Sequence, residues 1–371
     1  MYRSATQLRT CAVVALAITA SATGVSAQDV HSHTWLSPKS HPEIDDHQIP
    51  TATWLNPNSK ARVKFCLLCI HGLGLNGRSF EYFGKQLAQQ GAAVYAIDVR
   101  GFGQWQQIEG HSDIDFANTL TDIEKTLKSI RLRYPRLPIF ILGESMGGAI
   151  ALRATALSQE SVDGVISSVP AGDRFKQTGT KLKVAEELLS GDNKKHDVGK
   201  QVIAQATQDS TMRDHWENDE RNRLNYSAKE LLRFQKFMNE NHEVVQAITK
   251  TPVLLVQGCD DRLVKSAASF ELFDELPVKD KTFLSLPYEH LIFEEQEHTD
   301  KKLNDTTNTF LLVWLQAHIP TAATPTNAIM ENQDTKKTSS TSLPSKSQNS
   351  SPKQSEQGTQ TPEKKRASHH H

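Results

Sequence analysis

The chain has 371 residues, 37% of them hydrophobic, and a formal net charge of -1. That length can bury one large core or two modest ones. The near-neutral balance favours neither nucleic acid nor an acidic membrane surface as a partner.

Residues 1–27 read as a cleavable signal peptide. Arg3 and Arg9 precede the apolar run Ala12–Ile18, and Val25–Ser26–Ala27 offers small residues for cleavage. The run is too short for a stable transmembrane anchor, and Cys11 precedes it, which excludes a lipoprotein site. The implied location is secreted or periplasmic. Next, Thr34–Trp35–Leu36 and Thr51–Leu55 suggest two short antiparallel strands. His31, His33, His41 and His47 match no zinc-ligand spacing and are read as a polar leader.

From residue 63 the chain alternates strand and helix patterns, as a parallel α/β sheet does. Val63–Ile70 is a strand ending in His71–Gly72–Leu73–Gly74. A helix with Phe80, Phe83 and Leu87 on one face leads to a second strand, Ala92–Ile97, and the turn Asp98-x-Arg100–Gly101–Phe102–Gly103. Phe116, Leu120, Ile123, Leu127 and Ile130 then form one helical stripe. Pro138–Leu142 predicts a strand buried on both faces, followed at once by Gly143–Glu144–Ser145–Met146–Gly147 and a small-residue helix. Gly-x-Ser-x-Gly between strand and helix is the nucleophile-elbow pattern, in which a strained turn lifts the serine hydroxyl clear of the sheet.

A serine hydroxyl needs a base within hydrogen-bond reach, and the base needs an orienting carboxylate. Both are expected on loops at the carboxyl edge of later strands. Pro252–Gln257 is such a strand and is followed by Asp260 and Asp261; Lys281–Leu286 is another and is followed by Pro287–Tyr288–Glu289–His290. His298 and His318 compete with His290, but His298 follows acidic residues on an expected helix and His318 ends the last helix. Only His290 directly follows a strand. The stretch 171–250 exceeds any ordinary crossover and reads as a helical cap inserted after the sixth strand. Its candidate pocket liners are Leu188, Leu189, Trp216, Leu224, Leu231, Leu232, Phe234 and Phe237, although an apolar helical stripe is more often core than pocket.

These motifs, from about residue 60 to 318, resemble the α/β-hydrolase superfamily, and within it the monoacylglycerol lipase and lysophospholipase group (a serine aminopeptidase-like hydrolase domain). Plant-type members, including caffeoylshikimate esterases, are similar around Leu142–Ala149. The resemblance implies a mostly parallel central sheet flanked by helices. It also implies a cofactor-free, metal-free serine hydrolase with Ser145 as nucleophile, His290 as base and Asp261 as acid. Relatives read Gly-x-x-Asp followed by a basic or polar residue, which aligns Asp261 and leaves Asp260 as a turn residue. The Leu73 and Met146 amides are the implied oxyanion donors, and His71 is read as pinning its loop. Gln104 departs from relatives that carry serine there, with little catalytic consequence expected. The implied substrate is a small-molecule ester, lipid-like, of monoacylglycerol or lysophospholipid type. A serine peptidase of the same fold and a catalytically inactive binding protein are the alternatives.

Cys66, Cys69 and Cys259 are expected as buried thiols, since Cys66 and Cys69 point to opposite faces of one strand. The domain is bounded at 28–319, and the polar tail 320–371 is too poor in apolar residues to fold.

Overall fold

In the computed structural model of the chain, residues 33–35, 49–56, 58, 62–170 and 195–319 are described. The expected signal peptide, the tail from 320 and the cap residues 171–194, with Leu188 and Leu189, lie outside them. Eight strands form the main sheet: β1 (His33–Trp35), β2 (Pro50–Trp54), β3 (Phe65–Ile70), β4 (Ala92–Ile97), β5 (Ile139–Glu144), β6 (Gly164–Ser168), β9 (Val253–Gly258) and β10 (Lys281–Leu286). Their spatial order is β1-β2-β4-β3-β5-β6-β9-β10. β1 and β2 are antiparallel, as their sequence suggests, and every pairing from β4 to β10 is parallel.

Period-two alternation explains why both faces are apolar. In β3, Cys66, Leu68 and Ile70 enter one core while Phe65, Leu67 and Cys69 enter the other. The first core is closed by α2 (Phe116–Arg133), α3 (Met146–Leu157) and α8 (Ser266–Glu275); the second by α1 (Glu81–Gln89) and α9 (Lys301–Ala317). Helix α2 follows its predicted stripe, with Ile123, Leu127 and Ile130 buried. Asp115 caps its start by accepting the Asn118 amide, and Arg131 and Arg133 meet the negative end of its dipole.

Cys66 and Cys69 are buried as expected, and burial pushes the Cys66 thiol up to about 12. Cys259 is only half-buried, because it lies in the loop beyond the end of β9.

Between β6 and β9 the described part of the insertion contains β7 (Lys195–Asp197), α4 (Gly199–Ala206), α5 (Ser210–Asn218), β8 (Asn225–Ser227), α6 (Ala228–Asn239) and α7 (Asn241–Gln246). β7 and β8 pair as an antiparallel ribbon, which the helical pattern did not predict. A small third core joins the insertion to the sheet-edge loops through Ile203, Met212 and Trp216 against Leu75, Leu263 and Leu291. Arg223 fastens it further. Its guanidinium pairs with Glu230 at 2.6 Å and donates to the Gly101 and Ser112 carbonyls at 3.0 and 2.9 Å. Both charged side chains are buried, so losing one partner would strand the other, a defect of about 3–5 kcal/mol. Among the described residues no helix is long and apolar enough to cross a membrane.

Candidate active site

The chain leaves β3 toward β4 on one side and returns to β5 on the other, so a crevice opens where the two strands diverge. Ile70 pairs with Gly143, which brings the loop after β3 alongside the turn after β5. That turn is tight. A Cβ on Gly143 would lie 2.0 Å from the Gly147 carbonyl oxygen, and one on Gly147 would lie 1.9 Å from that of Ile70. Ser145 is held at φ 55° and ψ -116°, a region costing a non-glycine residue about 1–3 kcal/mol. Its amide donates to the Ser168 carbonyl at 2.8 Å, which locks the bend onto β6.

The residues singled out after β9 and β10 meet Ser145 at this edge. His290 Nε2 lies 2.9 Å from Ser145 Oγ, and His290 Nδ1 lies 2.8 Å from Asp261 Oδ2. Asp261 Oδ1 accepts the Leu263 and Val264 amides at 2.8 and 2.9 Å. Burial disfavours the Asp261 charge, yet His290 and these amides outweigh it and hold the carboxyl below its usual range. Asp260 instead donates its amide to the Tyr288 carbonyl. His298 sits in a short 3-10 turn rather than the expected helix, and His318 contacts Asp280 at the N-terminal end of β10, the opposite end from His290. A hydroxyl, an imidazole and a carboxylate in this sequence can form and resolve an acyl intermediate.

Met146 opens α3, so its amide has no intrahelical acceptor. The Leu73 amide also lacks an acceptor among the described residues. Leu73 and Ser145 line one pocket. His71 is fully buried, and burial lowers it to about 4. Its Nε2 accepts the Val99 amide at 2.9 Å, so the proton is on Nδ1, which donates to the Gly72 carbonyl at 2.8 Å. Such a neutral imidazole braces the loop. Asp98 braces it from behind by accepting the Gly77 and Gln104 amides, each at 2.8 Å. Gln104 thus contributes backbone here, where its side-chain identity matters little.

Two buried carboxylates escaped the sequence reading. Glu144 accepts the Ser168 hydroxyl at 2.7 Å and the Ile292 and Glu294 amides at 2.9 and 2.8 Å, tying the serine turn to the loop beyond His290. Glu294 accepts the Gly72 amide through both oxygens, at 3.1 and 3.0 Å. Burial, reinforced by the neighbouring Glu144 charge, pushes Glu294 well above the carboxylate range. The available signal was Glu144 itself, an acid one glycine beyond the apolar run Ile139–Leu142. Glu144→Gln is expected to destabilise the fold by about 1–3 kcal/mol, because a carboxamide N–H₂ would face amides that need an acceptor. Urea unfolding checks this, and an unchanged midpoint would refute it.

The base loop is also joined to the insertion. The His290 amide donates to the Ala206 carbonyl at 3.1 Å, and Glu289 accepts the Thr207 hydroxyl and the Gln208 amide at 2.8 and 2.9 Å. The pocket at Ser145 is narrow and is shared between the insertion and the sheet-edge loops. Val202, Trp216, Phe234 and Met238 of the insertion face Leu75, Leu263, Val264 and Leu291 across it. Trp216 and Phe234 were among the expected liners. Leu224 and Leu231 pack against core clusters, Leu232 is exposed, and Phe237 stacks on Phe116 with centroids 4.1 Å apart.

The family profile described as "Serine aminopeptidase, S33" matches residues 61–297. A monoglyceride lipase from Homo sapiens is 27% identical over 270 residues, covering 70% of this chain and 85% of that protein. The fold is similar to that of a soluble variant of monoglyceride lipase from Saccharomyces cerevisiae, with a TM-score of 0.65, 20% identity, and coverage of 81% of this chain and 100% of that one. It is also similar to a monoacylglycerol lipase from Paleococcus ferrophilus, with a TM-score of 0.60, 22% identity, and coverage of 73% and 99%.

Proposed function

Because the chain belongs to the serine aminopeptidase S33 family of α/β-hydrolases, we propose that it cleaves the carboxylic ester of a monoacylglycerol-type lipid through an acyl-enzyme. Ser145 Oγ attacks the ester carbonyl carbon and its proton passes to His290 Nε2, while Asp261 stabilises the resulting imidazolium. The Leu73 and Met146 amides hold the oxyanion, each such donor typically being worth ~2.7–4 kcal/mol. On collapse the carbon–alkoxide bond breaks and His290 protonates the departing alcohol. Water then attacks the acyl-serine with His290 again as base, releasing the fatty acid. The observation that carries this reading is the pair of contacts at 2.9 and 2.8 Å joining Ser145, His290 and Asp261.

Pocket chemistry and kinship support the substrate class. Among the described residues the lining is apolar apart from Ser145 and His290, and it contains no Lys, Arg, Asp or Glu. A lysophospholipid brings a phosphate that wants a cation, and an aminopeptidase substrate brings an amine that wants an acid. The monoglyceride lipase relative points the same way. Under identical conditions, kcat/KM for a 2-monoacylglycerol is expected to exceed that for the matching lysophosphatidylcholine by at least ~10-fold, about 1.4 kcal/mol. Aminoacyl amides are expected to be turned over more slowly still. A reversed order would overturn the substrate class while leaving the hydrolase reading intact.

A further inference from the structure

On the side of the base loop facing the insertion, two imidazoles and a carboxylate converge from different parts of the chain. His215 comes from α5, and Glu295 and His298 from the turn that follows His290. His215 Nδ1 lies 3.1 Å and His298 Nε2 3.7 Å from the same oxygen, Glu295 Oε2. One donor atom from each residue falls within 4.8 Å of the others. The two imidazole rings are 4.4 Å apart between centroids.

Glu295 is placed here at a conformational cost. It takes φ 55° and ψ 24°, a left-handed conformation uncommon for a residue with a side chain, and its amide donates to the Ser79 carbonyl at 2.9 Å. The Glu295 side chain is only 7% exposed, whereas that of His215 is 43% exposed. The catalytic scheme uses none of the three.

We propose that His215, Glu295 and His298 form a binding site for a borderline divalent transition ion of the Zn²⁺ class. Two nitrogens and one carboxylate oxygen are the donor set such ions take, with water completing the shell. Metal–ligand bonds of about 2.0–2.1 Å put neighbouring tetrahedral donors about 3.3–3.4 Å apart. The separations of 3.1 and 3.7 Å bracket that value, and the two imidazole nitrogens, within 4.8 Å of each other, would have to draw together by at most about 1.5 Å. A harder ion such as Ca²⁺ or Mg²⁺ wants more oxygens than the cluster offers. The bound ion would staple α5 to the turn beyond the base, and Trp216, adjacent to His215, lines the pocket at Ser145. The site depends on this donor geometry and is independent of which ester is cleaved.

The test uses the full-length chain stripped with a chelator and titrated with Zn²⁺ against a chromophoric competitor. The wild type is expected to hold one more equivalent of Zn²⁺ than His215→Ala or His298→Ala, in which affinity at this site falls at least ~100-fold. The chain's other histidines are common to all variants, so the difference isolates the site. Co²⁺ is expected to give the intense visible bands of four-coordinate cobalt in the wild type and to lose them in both variants. Saturating Zn²⁺ is also expected to raise the wild-type melting temperature by more than that of either variant. Unchanged stoichiometry and affinity in His215→Ala, whose half-exposed side chain can be removed without threatening the fold, would overturn the proposal. So would six-coordinate cobalt spectra in all three proteins.

Discussion

Ser145→Ala is expected to lower kcat by up to ~10⁶-fold while the variant unfolds cooperatively near the wild-type denaturant midpoint. The substitution removes only Oγ. The Cβ stays, the turn keeps its φ of 55° and ψ of -116°, and the amide still donates to the Ser168 carbonyl at 2.8 Å. Without the hydroxyl no acyl-enzyme can form, so water must attack the bound ester unaided, with only the oxyanion donors and substrate binding to help. Covalent labelling by a fluorophosphonate should vanish in the same variant. Turnover close to wild type would show that another residue carries the chemistry, and the proposed function would fail with it.

His290→Ala is expected to be comparably severe, and His298→Ala nearly silent in metal-free buffer. The two imidazoles lie eight positions apart in the sequence, and either can be drawn as a base on paper. Their surroundings separate them. His290 is 2% exposed and bridges Ser145 and Asp261, whereas His298 faces Glu295 and the His215 ring. Removing the base also leaves a serine proton with no acceptor, so loss of either partner disables the pair as a unit. One set of steady-state assays on both variants decides the matter, and comparable losses in the two would invalidate the assignment.

Burial on both faces is what made much of the architecture legible. Strands such as Phe65–Ile70 and Ile139–Leu142 read as continuous apolar runs because helices cover each side of a parallel sheet. The glycines at 143 and 147 could be read because no side chain fits where backbone meets backbone. The insertion was harder. β7 and β8 are three residues each, too short for alternation to declare itself, so the ribbon was missed. Pocket and core were also confounded within α6: Phe234 faces the cavity at Ser145, while Phe237, three residues on, stacks on Phe116. Both satisfy the same helical stripe. Glu294 stayed hidden for a different reason, since in sequence a buried acid with amide partners looks like any surface acid, and Glu144 differed only in its place at the end of an apolar strand.

The bonds joining Ala206, Thr207 and Gln208 to Glu289 and His290 mean that the insertion roofing the pocket at Ser145 also holds the loop that carries His290. Roof and catalytic machinery are therefore not interchangeable parts. Grafting this region from a relative would also re-seat the imidazole, unless the short stretch 206–208 and its glutamate partner travelled together. Substitution of single liners such as Val202 or Met238 would leave those bonds in place.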